Sequence, residues 1–170
     1  MIEPKLVRLI LEDYPLDPAG IHGPSHWARV METGLALAEE TGANPRVVEL
    51  FALFHDSKRR NDGIDDGHGS RGAEFASALR GVAFDLDDEE FRKLYDACRL
   101  HTDNVRTSDV DMTTCWDADR LDLGRAGVTP DPRFLYNDAA KDVERMALAH
   151  KRSLAGYQPA FLQTWGVAGW

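Results

Sequence analysis

The chain has 170 residues, of which 43% are apolar and 29% charged, and carries a net charge of −9; that is the size of one ordinary domain, able to bury a core without disulfides. The acidic balance argues against a general nucleic-acid binder, which needs a basic face to neutralise phosphates. It leaves room for a small anionic substrate, because a bound metal inverts the local field.

The periodicity is helical almost throughout, with no repeat, linker or low-complexity tract. A first helix is predicted from Pro4 to Asp13, with proline in its first turn. A second runs from Pro24–Ser25 to Thr41, with Val30, Gly34, Leu37 and Ala38 on one face and Gly42 as its stop. Asn44 and Pro45 open a third, which is apolar nearly all round through Val47, Val48, Leu50, Phe51, Leu53 and Phe54 and is therefore expected in the interior. The stretch SKRRNDGIDDGHGS reads as a loop. A fourth helix is expected over Arg71–Leu79. A fifth opens on Asp87-Asp88-Glu89-Glu90 and ends near His101. A short sixth begins around Thr113, and a last one spans Asn137–Leu154 after the break at Asp131-Pro132. The tail holds Trp165 and Trp170, expected to pack on the domain. The expectation is a single all-α domain over 1–170 with six to seven helices. Its motif-bearing core spans about 20–125, and 137–170 form the C-terminal helix and tail.

No apolar run approaches the ~20 residues of a membrane span, and the opening MIEPKLVRLILEDY is too short and acidic for a signal peptide. Cys98 and Cys115 lie outside any CxxC pattern and read as buried thiols. A cytoplasmic protein is expected.

The third helix ends on His55-Asp56. The dipeptide alone says nothing, since six His and 19 Asp in 170 residues make one by accident about as often as not. Its place at the end of an apolar helix says more, because unpaired charge is costly to bury there and a metal satisfies both groups. The short TGAN turn makes the second and third helices antiparallel and brings His26 beside the pair. Asp119 and Asp122 of DADRLD share a helical face, and one of them can complete a two-His, two-Asp site. Oxygen and imidazole ligands suit Mn²⁺, Fe²⁺, Zn²⁺, Co²⁺ or Ni²⁺, with Mg²⁺ also admitted.

The set His26 … His55-Asp56 … Asp119 resembles the H…HD…D signature of the HD superfamily of metal-dependent phosphohydrolases. The Ala-Asp-Arg-Leu step around Asp119 is similar to that of the superfamily's (p)ppGpp hydrolases. The resemblance implies an HD-domain helical bundle, His26, His55, Asp56 and Asp119 as metal ligands, and hydrolysis of a phosphate ester or anhydride. His68 and His101 extend the order to H…HD…H…H…D, seen in the superfamily's two-metal phosphodiesterases and di-iron oxygenases. They are candidates either for a second metal or for substrate phosphate, so one or two ions are expected. His22, four residues before His26, resembles the H-x-x-x-H start of cyclic-nucleotide phosphodiesterases, whose first His is the general acid; otherwise it is a solvent-facing loop residue. Asp62 and Asp122 are alternative acids. Lys58 is expected to meet phosphate. Arg59, Arg60, Arg29 and Arg120 are expected either to do the same or to pair with carboxylates.

The acidic loop lacks the order of a calcium-binding loop, and no GxSxG, P-loop or GxGxxG context occurs. The resulting expectation is a metal-dependent phosphohydrolase of a small phosphorylated molecule, a nucleotide above all, with no membrane or long nucleic acid as partner and room for a homo-oligomer. The alternatives are an HD-type di-iron oxygenase and a non-catalytic nucleotide-binding module.

Overall fold

The computed structural model describes residues 2–103 and 105–166. These form seven α-helices: α1 (Pro4–Glu12), α2 (Pro24–Thr41), α3 (Pro45–Phe54), α4 (His68–Leu79), α5 (Asp88–Leu100), α6 (Val110–Leu121) and α7 (Val143–Leu154). Three 3-10 turns, Leu123–Ala126, Pro132–Phe134 and Ala160–Trp165, complete the secondary structure, and no strand is present among the described residues. No helix among them is long and apolar enough to cross a membrane.

The bundle is built around α3. Its N-terminus is set by Asn44, whose side chain accepts from the Arg46 amide at 2.8 Å, and by Pro45 at the first position. Val47, Val48 and every residue from Leu50 to Phe54 are fully buried, each large side chain contributing about 1.5–3 kcal/mol by leaving water. Helices α2, α4, α5 and α6 pack around it. Helix α2 ends on Gly42, in the left-handed region at φ 78°. Cys98 and Cys115 are free, buried thiols.

Three boundaries differ from the sequence reading. Helix α4 begins at His68 rather than Arg71, because Gly67 takes a left-handed φ of 78° and turns the chain into the helix early. Helix α6 begins at Val110 rather than Thr113, since Asp109 accepts from the amides of Asp111 and Met112. Helix α7 begins at Val143 rather than Asn137. The buried Asp117 carboxylate takes the amides of Tyr136 and Asn137 and the Asn137 side chain, so these residues are held out of a helix until Asp142 caps one. Trp165 packs into the core, edge-on to Phe161, while Trp170 lies outside the described residues.

Two glycines decide how closely α4 approaches. A Cβ on Gly72 would lie 2.3 Å from the Phe54 carbonyl oxygen, and one on Gly69 would lie 2.4 Å from the Cys98 carbonyl oxygen. Without side chains there, the start of α4 rests directly on the ends of α3 and α5. We expect Gly72→Ala to cost about 1–3 kcal/mol through forced backbone displacement, read as a lower Tm in thermal unfolding. Gly63→Ala, whose Cβ meets only Asn61 Oδ1 at 3.4 Å, should change little. Equal Tm values for the two variants would refute the tight crossing.

Candidate metal centre

Five of the six histidines and two aspartates converge where the ends of α3 and α5 meet the starts of α2 and α4. His26 comes from the first turns of α2, His55 and Asp56 from the end of α3, His68 from the first residue of α4, His101 from the end of α5 and Asp119 from the last turn of α6. His22, His26, His55, Asp56, His68 and His101 are all buried.

The ligand atoms form two groups. In the first, His26 Nε2 lies 3.0 Å from His55 Nε2. Asp119 Oδ1 is 3.5 Å from His26 Nε2 and 3.7 Å from His55 Nε2, and Asp56 Oδ2 is 3.7 Å from both. In the second, His68 Nε2 lies 2.9 Å from His101 Nε2, and Asp56 Oδ1 is 3.1 Å and 3.7 Å from the two. Asp56 thus gives one oxygen to each group.

The opposite ring nitrogens show what these groups are built for. His55 Nδ1 donates to the Phe51 carbonyl at 3.0 Å, His101 Nδ1 to the Cys98 carbonyl at 2.7 Å, and His68 Nδ1 to the Asp65 carbonyl at 2.7 Å. His26 Nδ1 donates to Asp122 Oδ2 at 2.7 Å. Carbonyl and carboxylate oxygens only accept, so each Nδ1 carries the proton and a neutral ring leaves its Nε2 lone pair inward. Two pairs of lone pairs facing each other at about 3 Å repel unless a cation is shared between them. The donor set therefore fits a divalent metal in each group, and borderline nitrogen with hard oxygen suits first-row transition ions.

The electrostatics agree. Burial takes the His55 pKa down to about 3, and burial, then the charge of Arg125, lowers that of His26 against the pull of Asp122. Burial alone would raise Asp56, but His55 and the close contacts of His101, His22 and His68 outweigh it and hold the carboxyl well below the usual range. Asp119 is lowered in the same way, against burial, by Arg125, His55 and His26. His101 is the exception, raised by Asp56 in spite of burial, so a proton competes there with a cation.

The remaining expected residues divide. His22 is buried rather than solvent-facing, with Nδ1 2.7 Å from Asp56 Oδ2. Of the basic run, only Arg59 turns inward, with one terminal nitrogen 3.4 Å from Asp56 Oδ1 and 3.0 Å from His68 Nε2. Lys58, expected at phosphate, is turned away: its ammonium is held by the carbonyl and carboxylate of Asp13 and lies 3.8 Å from the Phe75 ring centre. Arg60 is exposed, as is Asp62. The turn after α3 points successive side chains in different directions, which a charge run read along the sequence does not reveal. Arg120 stacks over Tyr136. Arg29 pairs with Asp122 through two nitrogens, at 2.7 and 3.0 Å. Asp122 itself, expected as an alternative acid, sits behind His26 with its pKa lowered by His26 and Arg29 in spite of burial. A carboxylate held ionised accepts hydrogen bonds and is a poor proton donor.

Two residues escaped the sequence reading. Arg125, in the turn after α6, places Nη2 3.4 Å from Asp119 Oδ1 and 3.8 Å from Asp56 Oδ2; a basic residue three positions after Asp122 was the available signal. The Tyr14 hydroxyl is buried with no hydrogen-bond partner among the described residues. Burial, then the charges of Asp56 and Asp62, raise its pKa. Nothing in the local sequence marks it.

No family model matches the chain, and no curated protein does. Among solved structures, it is similar to the crystal structure of a predicted HD superfamily hydrolase from an uncultured Thermotogales bacterium. The identity is 30% and the TM-score 0.60, over 91% of this chain and 90% of that one. The chain belongs to the HD superfamily. Its all-helical bundle and the His/Asp cluster able to hold a metal agree with that membership.

The carboxylate–imidazole contact behind the centre gives a test. Asp122→Asn should weaken metal binding about 10- to 100-fold, as loss of such orienting partners does, while leaving the helical circular dichroism intact. Unchanged affinity in a competition titration against a chelator would show that Asp122 does not orient His26.

Proposed function

We propose that this HD-superfamily protein is a metal-dependent phosphohydrolase acting on a phosphate ester or anhydride of a small molecule, with nucleotides as the favoured class. The observation that carries the reading is the pair of inward-facing imidazole couples sharing Asp56. His26, His55, Asp56 and Asp119 would hold one ion, and His68, His101 and Asp56 a second. When bound, such ions supply hydroxide at neutral pH and withdraw charge from a phosphoryl oxygen.

The chain's own groups supply the rest. Asp122 keeps His26 in the tautomer that presents Nε2. The Phe51, Cys98 and Asp65 carbonyls do so for His55, His101 and His68. His22, held through Nδ1 on Asp56, keeps Nε2 for a proton to the leaving oxygen. Arg59, beside Asp56 and His68, offsets charge on the substrate. Close packing around the cluster limits water and favours a compact substrate over a polymer, as does the net charge of −9.

A di-iron oxygenase would use the same ligands. The cationic groups beside them, Arg59 and Arg125, favour a phosphate-bearing substrate over a neutral one. Metal-reconstituted protein should release phosphate or pyrophosphate from a panel of nucleotides and phosphoesters, without oxygen uptake. Asp56→Ala should abolish both the activity and the metal content, and His68→Ala with His101→Ala should remove about one metal per chain of two. Oxygen consumption coupled to substrate oxidation, with no hydrolysis, would overturn the proposal. Tight nucleotide binding with neither reaction would make the chain a sensor.

A further inference from the structure

Arg125 is built into the centre with unusual care. Its turn follows Asp122 directly and is pinned to α7. The Arg125 amide donates to Ser153 Oγ at 2.7 Å, and that hydroxyl donates to the Asp122 carbonyl at 2.7 Å. Gly124 has no room for a side chain, since a Cβ would lie 2.9 Å from His150 Nδ1 and 3.0 Å from Ser153 Cβ. The result is a side chain only 7% exposed, lying over the first ligand group.

Its hydrogen bonding is incomplete. Nη1 donates to the Asp122 carbonyl at 3.0 Å. Nη2 stands 3.4 Å from Asp119 Oδ1 and 3.8 Å from Asp56 Oδ2, well beyond the 2.7–2.9 Å of a committed charge-assisted bond. Nε is buried and has no partner among the described residues. Buried guanidinium nitrogens are normally satisfied. Arg29 is satisfied by Asp122 and the Tyr157 carbonyl. Arg59 has contacts as long as that of Arg125 Nη2, 3.4 Å to Asn61 and to Asp56, but every one of its nitrogens has a partner, with the Gly63 carbonyl and His68 completing the set, whereas Arg125 Nε has none among the described residues.

Charge points the same way. Three carboxylates, the buried Asp56 and Asp122 and the partly buried Asp119, face three guanidiniums, Arg29, Arg59 and Arg125, so the protein shell is balanced before any cation enters. Divalent ions then leave a positive excess of at least two charges, the complement of a phosphate dianion. Asp119 is the most exposed of the first group's ligands, its side chain 14% accessible, so substrate has its approach beside Arg125.

We propose that Arg125 grips the non-bridging oxygens of a terminal phosphate dianion and so selects phosphomonoesters over phosphodiesters, an inference that rests on the phosphohydrolase reading of the centre. A monoester presents three terminal oxygens and two charges. A diester presents two oxygens and one charge, and so loses both geometric and electrostatic complementarity to a guanidinium held at this edge.

The test uses metal-loaded wild-type protein, Arg125→Gln and Arg125→Lys. Inorganic phosphate binding is measured by calorimetry, metal content by elemental analysis, and turnover with p-nitrophenyl phosphate and bis-p-nitrophenyl phosphate. Arg125→Gln should keep its metal and bind phosphate about 10- to 100-fold more weakly, as loss of a charged hydrogen bond does. It should raise KM for the monoester while sparing the diester, and Arg125→Lys should recover part of the loss. Phosphate affinity equal to wild type in either variant overturns the inference while leaving the hydrolase reading intact. Loss of metal with no change in phosphate affinity also overturns it, and makes Arg125 a support for Asp119. If Arg125→Gln fails to fold, Arg125→Lys decides alone, with phosphate affinity between wild type and background expected. Wild-type protein that binds phosphate through Arg125 yet hydrolyses neither ester nor any member of the nucleotide panel upholds the phosphate grip and sinks the hydrolase reading, and with it the selection between esters.

Discussion

The structure depends on a single carboxylate. Asp56 is 1% exposed, and an ionised carboxyl taken out of water must be compensated by charge or hydrogen bonds at close range. Four imidazoles and two guanidiniums stand within 4 Å of its two oxygens on the inward side, and His22 binds it from the turn before α2. Five segments of the chain are brought to one point to satisfy it. The arrangement is closed electrostatically but incomplete chemically, because the imidazoles that surround Asp56 turn lone pairs toward one another. That conflict leaves the site able to hold cations, unlike a buried ion pair of the ordinary kind.

Helix ends supply the precision. A carbonyl near a helix end has a lone pair to spare, and two of the imidazoles use this on their own helices, the Phe51 carbonyl taking the His55 amide as well. His55 bonds back to Phe51 and His101 back to Cys98, each with Nδ1. Both rings are therefore aimed by the helix that carries them. His68 does the equivalent at a helix start, using the Asp65 carbonyl of the preceding loop. His26, in the first turns of α2, has no free carbonyl to use and borrows Asp122 from α6 instead, with Arg29 one turn along α2 steadying that carboxylate. The backbone contacts of Gly69 and Gly72 then set how near the two imidazole couples come. Stability and ligand geometry thus rest on the same close crossings.

Much of this was legible along the chain. Caps, prolines and the 3.6-residue period place α1, α2, α3 and α5 within a residue or so, because those signals act over one or two turns. The apolar run of α3 and its His-Asp end mark the interior and the centre together, and antiparallel pairing across a four-residue turn brings His26 to it. The start of α7 was misread because a distant group, Asp117, captures the amides of Tyr136 and Asn137. Lys58, expected at phosphate, turns away while Arg59 turns inward, because consecutive residues in a tight turn diverge, Lys58 to Asp13 and Phe75, Arg59 to Asp56.

By itself, then, the sequence determined the helical class, the buried third helix and the residue types of a candidate metal centre, since these follow from local periodicity and from the order of His and Asp. Only the tertiary structure decided that Asp56 is shared between two imidazole couples, that Asp122 lies behind His26, and that Arg125 overhangs the ligands. The two imidazole couples join residues 29 and 33 positions apart, Asp122 reaches His26 across 96, and Arg125 is held by a turn pinned to a residue 28 positions on. Such contacts are set by packing of whole faces and by the desolvation of one buried charge, neither of which a stretch of sequence records.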